Sequence, residues 1–295
     1  MDGIIRFDVF VPSSLDDALQ FMAREGAEAL PMAGGTDLIV LIRSGIVRPK
    51  KVLDLWPLRG ELAFIKREDG WIRIGALTTI EEISNSFLVK DPRYVGFLDM
   101  CKQFATPYLR TIATVGGNIG AAHPLSDVAI LLLTLDCEVK LMSVNGERWV
   151  RLEGLFLDKR KLAKDPSELI TEVRFREIPQ NASTAFLKFD RRWGHAMGYI
   201  VVAACAQLEG DIVEEVRIAF DSMGRPFPER AKKTEEFLKG KRLSGDIIRD
   251  ACSKVLPKEM KRISDYRASA EYRLDLSKVL LKRALLKIKS RVGGG

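Results

Sequence analysis

The chain has 295 residues, of which 46% are hydrophobic and 29% charged, and its formal net charge is +7. This length suits two or three compact subdomains, with two domains as the default. The basic residues are interleaved with acidic ones over most of the chain, so nucleic-acid binding is a minority interpretation. No apolar run approaches a membrane span, and the first residues are unlike a signal peptide, which predicts a cytoplasmic protein.

The first part of the chain, residues 1–57, reads as a β-α-β-like unit. "IIRFDVFVP" predicts a strand and "SSLDDALQFMAREG" a helix with a serine cap and a terminal glycine. "EALPMAGG" returns to a strand, "TDLIVLIRSG" opens a second helix, and "KKVLDLW" closes the unit with a third strand. We take residues 1–57 as one subdomain.

Residues 58–178 form a second predicted subdomain, which begins with a hairpin around Asp69-Gly70. "TTIEEISNSFLV" and "YVGFLDMCKQFA" predict helices, and "TVGGNIGAAHP" predicts a loop. A further helix and a hairpin around Asn145-Gly146 follow. The proline and small polar residues of "FREIPQNAS" then indicate the main domain boundary.

Residues 179–295 predict a C-terminal domain. "TAFLKFDRR", "AMGYIVVAACAQLEG" and "IVEEVRIAFDSM" are typical of three strands of an antiparallel sheet, and helices follow from residue 231. The final "LDLSKVLLKRALLKIKSRV" is an amphipathic helix whose basic residues form either a solvated face or a docking surface.

Cysteine and histidine usage argues against a metal centre. Four cysteines stand singly without a CxxC pair, which favours reduced, buried thiols. His123 and His195 are the only histidines, too few for a multi-histidine metal site or an ordinary hydrolytic triad. We therefore predict no metal ligand and no ordinary hydrolytic triad.

Paired glycines occur twice, in "LPMAGGTDLIV" at residues 30–40 and in "TIATVGGNIG" at residues 111–120. Backbone N–H groups at a glycine turn leading into a helix are suitable donors to a diphosphate. The single-loop motifs GxGxxG and GxxxxGK[ST] are missing. We expect the two turns to hold one diphosphate from two sides, although each pair alone is compatible with an ordinary turn. Thr36 and Asp37 are also compatible with helix caps, and Thr114 and Asn118 with turn formers.

Four segments in this order resemble the FAD-binding medium subunit of the molybdenum hydroxylases, the group that includes xanthine dehydrogenase, carbon monoxide dehydrogenase and aldehyde oxidoreductase. The segments are "AGGTDLIVLIRSG", "IRIGALTTIEEI", "LRTIATVGGNIGAAHPLSDVAILLLTLDCEV" and "DYRASAEYRLDLSKVLLKRAL". The similarity extends from about Phe7 to Leu286. It implies an α+β fold, namely a vanillyl-alcohol-oxidase (PCMH) type fold of two α/β subdomains that hold FAD. A C-terminal domain of the CO dehydrogenase flavoprotein type, with a three-stranded antiparallel sheet and a helical bundle, follows.

The resemblance also implies the cofactor-binding residues. The first glycine motif places Met32, Ala33, Gly34, Gly35, Thr36, Asp37 and Leu38 along the FAD diphosphate. The second matches Ala113, Thr114, Gly116, Gly117, Asn118 and Gly120, which contribute amides and polar side chains. Ser126 and Asp127 match positions that bind the cofactor's hydroxyls, although an N-cap role for Asp127 stays open. Phe104 matches an aromatic residue near the flavin, and Lys188 lies either beside the flavin or on the surface of a strand.

The sequence departs from the family in one segment. Many bacterial members carry an aspartate and an aromatic residue after the paired basic residues, whereas residues 191–197 read "RRWGHAM", with Ala196 at the aromatic position. Trp193 and Tyr199 are the candidates for covering the flavin ring. The clustered cysteines of members with an extra iron-sulfur cluster are missing, so we expect FAD to be the chain's own cofactor.

The resemblance implies an electron-transfer subunit, in which no side chain of this chain acts as a catalytic acid or base in the substrate reaction. A large molybdopterin-binding subunit hydroxylates the substrate, a small [2Fe-2S] subunit passes the electrons to FAD, and NAD, a quinone or oxygen accepts them. Two alternatives stay open: a stand-alone flavin oxidase of the same fold, for which His123 is the only candidate covalent tether, and a binding module without flavin. The intact glycine pairs argue against the second.

Overall fold

The computed structural model describes residues 6–190, 198–221, 223–224, 226–261 and 264–293. It contains three sheets of three or more strands. Each of the first two forms a lobe, and the third forms the C-terminal domain.

The first lobe is a small parallel sheet with the strand order β1-β3-β2. Its elements are β1 (Asp8–Phe10), α1 (Leu15–Glu25), β2 (Ala29–Met32), α2 (Leu38–Arg43) and β3 (Lys51–Asp54). The Oγ of Ser14 accepts a hydrogen bond from the Asp17 amide and caps α1, as its sequence predicts. The apolar face of α1 is buried against the sheet, with the rings of Phe10 and Phe21 stacked at 4.2 Å between centroids.

The second lobe is a five-stranded antiparallel sheet with the order β4-β5-β10-β6-β7, flanked by short helices. Its elements up to the middle of the lobe are α3 (Arg59–Leu62), β4 (Ile65–Glu68), β5 (Trp71–Gly75), α4 (Ile80–Ser84), α5 (Val95–Gln103), α6 (Pro107–Arg110), α7 (Val115–Gly120) and α8 (Asp127–Leu133). The remaining elements are β6 (Glu138–Ser143), β7 (Gly146–Arg151), α9 (Leu152–Leu155), β8 (Phe156–Asp158), β9 (Lys161–Leu162) and β10 (Leu169–Arg176).

The two hairpins predicted around Asp69-Gly70 and Asn145-Gly146 are β4-β5 and β6-β7. Two other predictions for this lobe are wrong. The second glycine segment is the short helix α7 rather than a loop, because the Thr114 hydroxyl caps it by accepting from the Gly117 amide. The helix predicted over "TTIEEISNSFLV" ends at Ser84, and a 3₁₀ turn at Phe87–Val89 follows because Ser86 caps a new turn.

The C-terminal domain packs helices on one antiparallel sheet of order β11-β12-β13-β14. Its elements are β11 (Ala182–Phe189), β12 (Ile200–Glu209), β13 (Ile212–Phe220), β14 (Glu229–Arg230), α10 (Lys232–Leu238), α11 (Gly245–Asp250), α12 (Leu256–Glu259) and α13 (Ala270–Gly293). The three predicted strands are present, and β14 adds a two-residue edge. A π-helical turn at Ala251–Val255 joins α11 to α12.

The second lobe and the C-terminal domain share one apolar core, to which β11 and β12 contribute Phe186 and Val201. Asp99 of α5 adds ion pairs across this junction, at 2.7 Å to Lys287 and 2.8 Å to Arg291 of α13. Part of the basic face of α13 therefore binds the neighbouring lobe within the chain. Among the helices that the structure describes, none combines the length and the apolar character needed to cross a membrane.

Candidate cofactor site

The two glycine turns lie against each other. A Cβ atom built on Gly34 would lie 1.7 Å from the carbonyl oxygen of Ile112, just before the second turn. A Cβ on Gly117 would lie 3.7 Å from the Cβ of Ala33 in the first turn. The first lobe and the second lobe therefore meet at the two motifs, and a side chain on Gly34 would force them apart.

The glycines of the two motifs are required for different reasons. Gly35 has a φ of +68°, in the left-handed region that favours glycine. Gly116 packs against Ala76, the residue that follows β5. The Gly116 amide donates to the Ala76 carbonyl at 2.8 Å, and a Cβ on Gly116 would lie 2.6 Å from the Ala76 Cβ. Gly120, by contrast, has space for a side chain, since its nearest neighbour would be the Ile170 Cδ1 at 3.9 Å.

The first turn holds a run of backbone amides without acceptors. The N–H groups of residues 34–38 donate no hydrogen bond to any residue that the structure describes. The Thr36 and Asp37 side chains, both half-buried, make no hydrogen bond within that part of the chain either. Asp37 occupies the N-cap position of α2 without capping it. Met32 ends β2 and Leu38 begins α2, so these residues and Ala33 form the apolar walls of the turn.

The second turn differs from the first because its amides are already used. The amides of Val115, Gly116, Gly117 and Asn118 donate to the Thr78 carbonyl, the Ala76 carbonyl, the Thr114 hydroxyl and the Thr114 carbonyl, respectively. The amides of Gly116, Gly117 and Asn118, which were expected to face the cofactor, thus already have acceptors within the chain, and the cofactor-binding role of this motif stays a prediction. The backbone of Ala113 is also used, because its carbonyl accepts a hydrogen bond from the Ile80 amide. What the second turn offers is the Asn118 side chain, whose Oδ1 is buried and has no hydrogen-bond partner among the described residues.

Asp127 and Lys188 form a buried ion pair next to this turn. The Lys188 Nζ lies 2.8 Å from the Asp127 Oδ2, and their side chains are only 9% and 5% exposed. Burial raises the pKa of Asp127, and Lys188 opposes that shift. Lys188 is thus not a surface residue of β11, and Asp127 is the first residue of α8 rather than its cap. The Asp127 Oδ1 is buried, and no residue that the structure describes forms a hydrogen bond with it.

Ser126 and Phe104 both precede this pair in the chain. The Ser126 hydroxyl is buried and donates to the Asn118 carbonyl at 3.1 Å, which fixes α8 to α7. Phe104 follows α5 directly and packs on the shared core while half-buried. Its neighbour Gln103 accepts the Lys188 amide through Oε1 at 3.1 Å, so the chain around Phe104 is held to β11.

His123 and Tyr199 are engaged within the protein. The His123 Nδ1 accepts the Leu125 amide at 3.1 Å, and burial lowers the pKa of this histidine, which favours the neutral ring. Tyr199 lies among other aromatic rings, 6.1 Å between centroids from both Phe189 and Tyr272. The segment that differs from the family pattern, residues 191–197 with Trp193 and Ala196, lies outside the described residues.

Arg110 also lies in this region, although no sequence motif marks it as a cofactor-site residue. It ends α6, two residues before Ile112, and its side chain has no carboxylate partner among the described residues. A single arginine in a short segment carries no recognisable motif, so only its environment distinguishes it.

These groups fit FAD. A diphosphate needs N–H donors, which the first turn has, while ribityl and ribose hydroxyls need acceptors, which the Asn118 Oδ1 and the Asp127 Oδ1 supply. No group of three or more His, Cys, Asp or Glu side chains able to hold a metal ion occurs in the described part of the chain. The fold and the site define a two-lobed protein of the class that holds a diphosphate-bearing cofactor between its lobes.

The chain belongs to the FAD-binding medium subunits of the molybdenum hydroxylases. The family model described as "FAD binding domain in molybdopterin dehydrogenase" matches residues 5–180. The model of the CO dehydrogenase flavoprotein C-terminal domain matches residues 184–288. The predicted family, fold class, cofactor and oxidoreductase class are thereby confirmed.

Curated relatives and solved structures agree over nearly the whole length. The glyceraldehyde dehydrogenase medium chain of Sulfolobus acidocaldarius is 30% identical, with 93% of this chain and 95% of the relative covered. The carbon monoxide dehydrogenase medium chain of Hydrogenophaga pseudoflava is 26% identical, with 95% and 96% covered. A solved carbon monoxide dehydrogenase from Hydrogenophaga pseudoflava, lacking the Mo-pyranopterin moiety, matches with a TM-score of 0.91 at 26% identity, covering 97% of this chain and 98% of that one.

Proposed function

We propose that this chain is the electron-transfer subunit of a cytoplasmic molybdenum-containing hydroxylase. In this proposal a small partner subunit with [2Fe-2S] clusters delivers electrons, a large molybdopterin-binding subunit oxidises the substrate, and NAD, a quinone or oxygen is the external acceptor. When bound, FAD supplies the ability to exchange two electrons either singly or together. The observation that carries the proposal is the run of unpaired amides at residues 34–38, placed against the second turn.

The chain's own residues would hold the cofactor as follows. The amides of the first turn donate to the diphosphate, helped by the half-buried Thr36 hydroxyl. The Asn118 and Asp127 oxygens accept hydrogen bonds from hydroxyl groups, and Lys188 forms an ion pair with the buried side chain of Asp127. Phe104 offers an apolar wall at the end of α5 for the ring system. Domain boundaries near residues 57 and 178 remain part of this proposal, the second falling between β10 and β11.

The cytoplasmic location is supported by the thiols. Cys101, Cys137, Cys205 and Cys252 are all buried and unpaired. Burial raises the pKa of the Cys101 thiol to about 12 and that of Cys252 to about 11, so both stay protonated and unreactive at neutral pH. Unpaired cysteines of this kind are typical of reducing compartments.

The test is a visible spectrum of the purified chain before and after incubation with FAD and removal of the excess. We expect retained flavin absorbance near one FAD per chain, with the Gly154→Ala variant as a control because that position lies outside both glycine turns and has space for a methyl group. Co-expression with the two partner subunits should give an assembly in which substrate reduces this flavin. A chain that binds no FAD alone or in that assembly would contradict the proposal.

A further inference from the structure

Among the described cofactor-site residues that the family resemblance selects, none is a cation available for the diphosphate. Lys188 is the one basic residue of that set, and its ammonium group is already bound to Asp127. Asp37 adds a negative charge to the first turn. A site that binds a dianionic group with backbone amides alone leaves most of that charge uncompensated, and arginine is the side chain best suited to supply the rest.

Arg110 is unusual among the arginines of this protein. Every other partly or fully buried arginine in the described part of the chain forms an ion pair with an aspartate or a glutamate, as Arg93 does with Asp91 and Arg230 with Glu235. Arg110 has none. A partly desolvated guanidinium without an anion is costly, so the missing anion calls for an explanation.

The donors of Arg110 are only partly used. Its Nη1 donates to the Cys101 carbonyl at 2.6 Å, at the C-terminal end of α5, while its Nε is buried and has no acceptor among the described residues. The bond to Cys101 fixes the guanidinium in place. The remaining N–H groups therefore form a positioned fork that can take an anionic oxygen without loss of much side-chain freedom.

The position of Arg110 connects this fork to the glycine turns. Arg110 ends α6, and the Ala113 amide donates to the Leu109 carbonyl at 2.8 Å, so the chain turns directly from α6 into the second motif. Between them, the Ile112 carbonyl lies against Gly34, the first residue of the run of unpaired amides. Arg110 is thus two residues before Ile112, whose carbonyl makes the backbone contact between the two turns. Gly34, on the other side of this contact, begins the run of unpaired amides.

The structure assigns Arg110 to the cofactor site as the residue that neutralises the FAD diphosphate. This assignment rests on the proposed function. It differs from a role at the flavin ring, which would alter the redox behaviour of the bound flavin, and from a role as a C-terminal support of α5 through Cys101, which would alter stability.

The experiment titrates the purified full-length chain with FAD for wild type, Arg110→Met and Arg110→Lys. We expect Arg110→Met to weaken FAD binding at least about tenfold, the scale of one charge-assisted contact, and to reduce its dependence on salt. Arg110→Lys should recover part of the affinity because it restores the charge without the fork. Arg43→Met is the matched control: Arg43 is exposed at the end of α2, just beyond the first turn, and its removal should leave affinity unchanged.

Two further readouts decide the assignment. At saturating FAD, the reduction potential and visible spectrum of the flavin should be the same in Arg110→Met and wild type, because the ring is not the binding partner. A potential that shifts with the affinity, an unchanged affinity, or a loss of affinity that Arg110→Lys does not recover at equal thermal stability would each overturn the assignment. Failure of the wild type itself to bind FAD would contradict the proposed function instead.

Discussion

The Lys188 Nζ and the Asp127 Oδ2 lie 2.8 Å apart in a nearly solvent-free environment, and their ion pair joins β11 of the C-terminal domain to the start of α8. Within the described part of the chain, neither side chain forms a second ion pair, so removal of one partner leaves the other buried without a counter-charge. The pair therefore links the two domains. It also holds in place the side chain of Asp127, which is predicted to bind the cofactor.

The first prediction concerns stability. Asp127→Asn should lower the free energy of unfolding by about 3–5 kcal/mol, since it leaves the Lys188 ammonium buried without a counter-charge. The double variant Asp127→Asn/Lys188→Met should recover a large part of that loss, because neither charge is then buried. Urea denaturation of the two single variants and the double variant measures this coupling. Additive effects of the single variants would show that the pair does not act as a unit.

The second prediction concerns FAD. Asp127→Ala should weaken FAD retention by roughly 1–3 kcal/mol, because the cofactor's hydroxyls lose a hydrogen-bond acceptor. The measurement is a fluorescence titration with FAD, compared with Asp16→Ala, which removes an exposed acid from α1. Equal affinities of Asp127→Ala and Asp16→Ala would remove Asp127 from the cofactor site.

The third prediction separates two glycines. Gly34→Ala should destabilise the fold by about 1–3 kcal/mol or more, because its methyl group would overlap the Ile112 carbonyl. Gly120→Ala should change the free energy of unfolding by no more than about 0.5 kcal/mol, since its surroundings are open. Thermal unfolding of both variants tests the comparison, and similar melting temperatures would show that the two turns can separate without cost.

The fourth prediction concerns Gly117, which is exposed between the two turns. Gly117→Val should abolish FAD binding, because its side chain would occupy the space between Thr114 and Ala33, with the Cβ 2.8 Å from the Thr114 Oγ1. The circular dichroism spectrum checks that the variant is folded, and flavin absorbance measures occupancy. A folded Gly117→Val chain with full occupancy would exclude the cofactor from this space.

The fifth prediction is a pH dependence. Hydrogen bonds from Arg267, together with those from Arg273, hold the pKa of Asp265 well below its usual range. A lowered folded-state pKa stabilises the native chain fully above the unfolded pKa of about 3.9, and this contribution is lost as the pH falls below it. Unfolding at a series of acidic pH values should therefore show a steep loss of stability in wild type.

Asp265→Asn should be less stable than wild type at neutral pH and should lose less on acidification. Asp246→Asn is the control, because Asp246 is an exposed residue of α11 whose pair with Arg249 lies on the surface. If Asp265→Asn and Asp246→Asn lose the same free energy of unfolding per pH unit under acidic conditions, Asp265 does not govern the loss of stability.

The sequence by itself determined the local elements and the family. The hairpins at Asp69-Gly70 and Asn145-Gly146 follow from turn chemistry that acts over a few residues, and α1 follows from its serine cap and apolar spacing. The paired glycines and the segments around them were sufficient to identify an FAD-binding subunit, because such motifs are contiguous in the chain.

Only the tertiary structure decided how the site residues divide their roles. Whether an amide is available depends on what packs against it, so sequence could not show that the first turn keeps its N–H groups while the second bonds to Ala76 and Thr78. Likewise, the pairing of Asp127 with Lys188 and the unpaired state of Arg110 depend on residues that are distant in sequence or missing nearby in space. Charge compensation and hydrogen-bond satisfaction are properties of the assembled interior, which the order of residues alone does not specify.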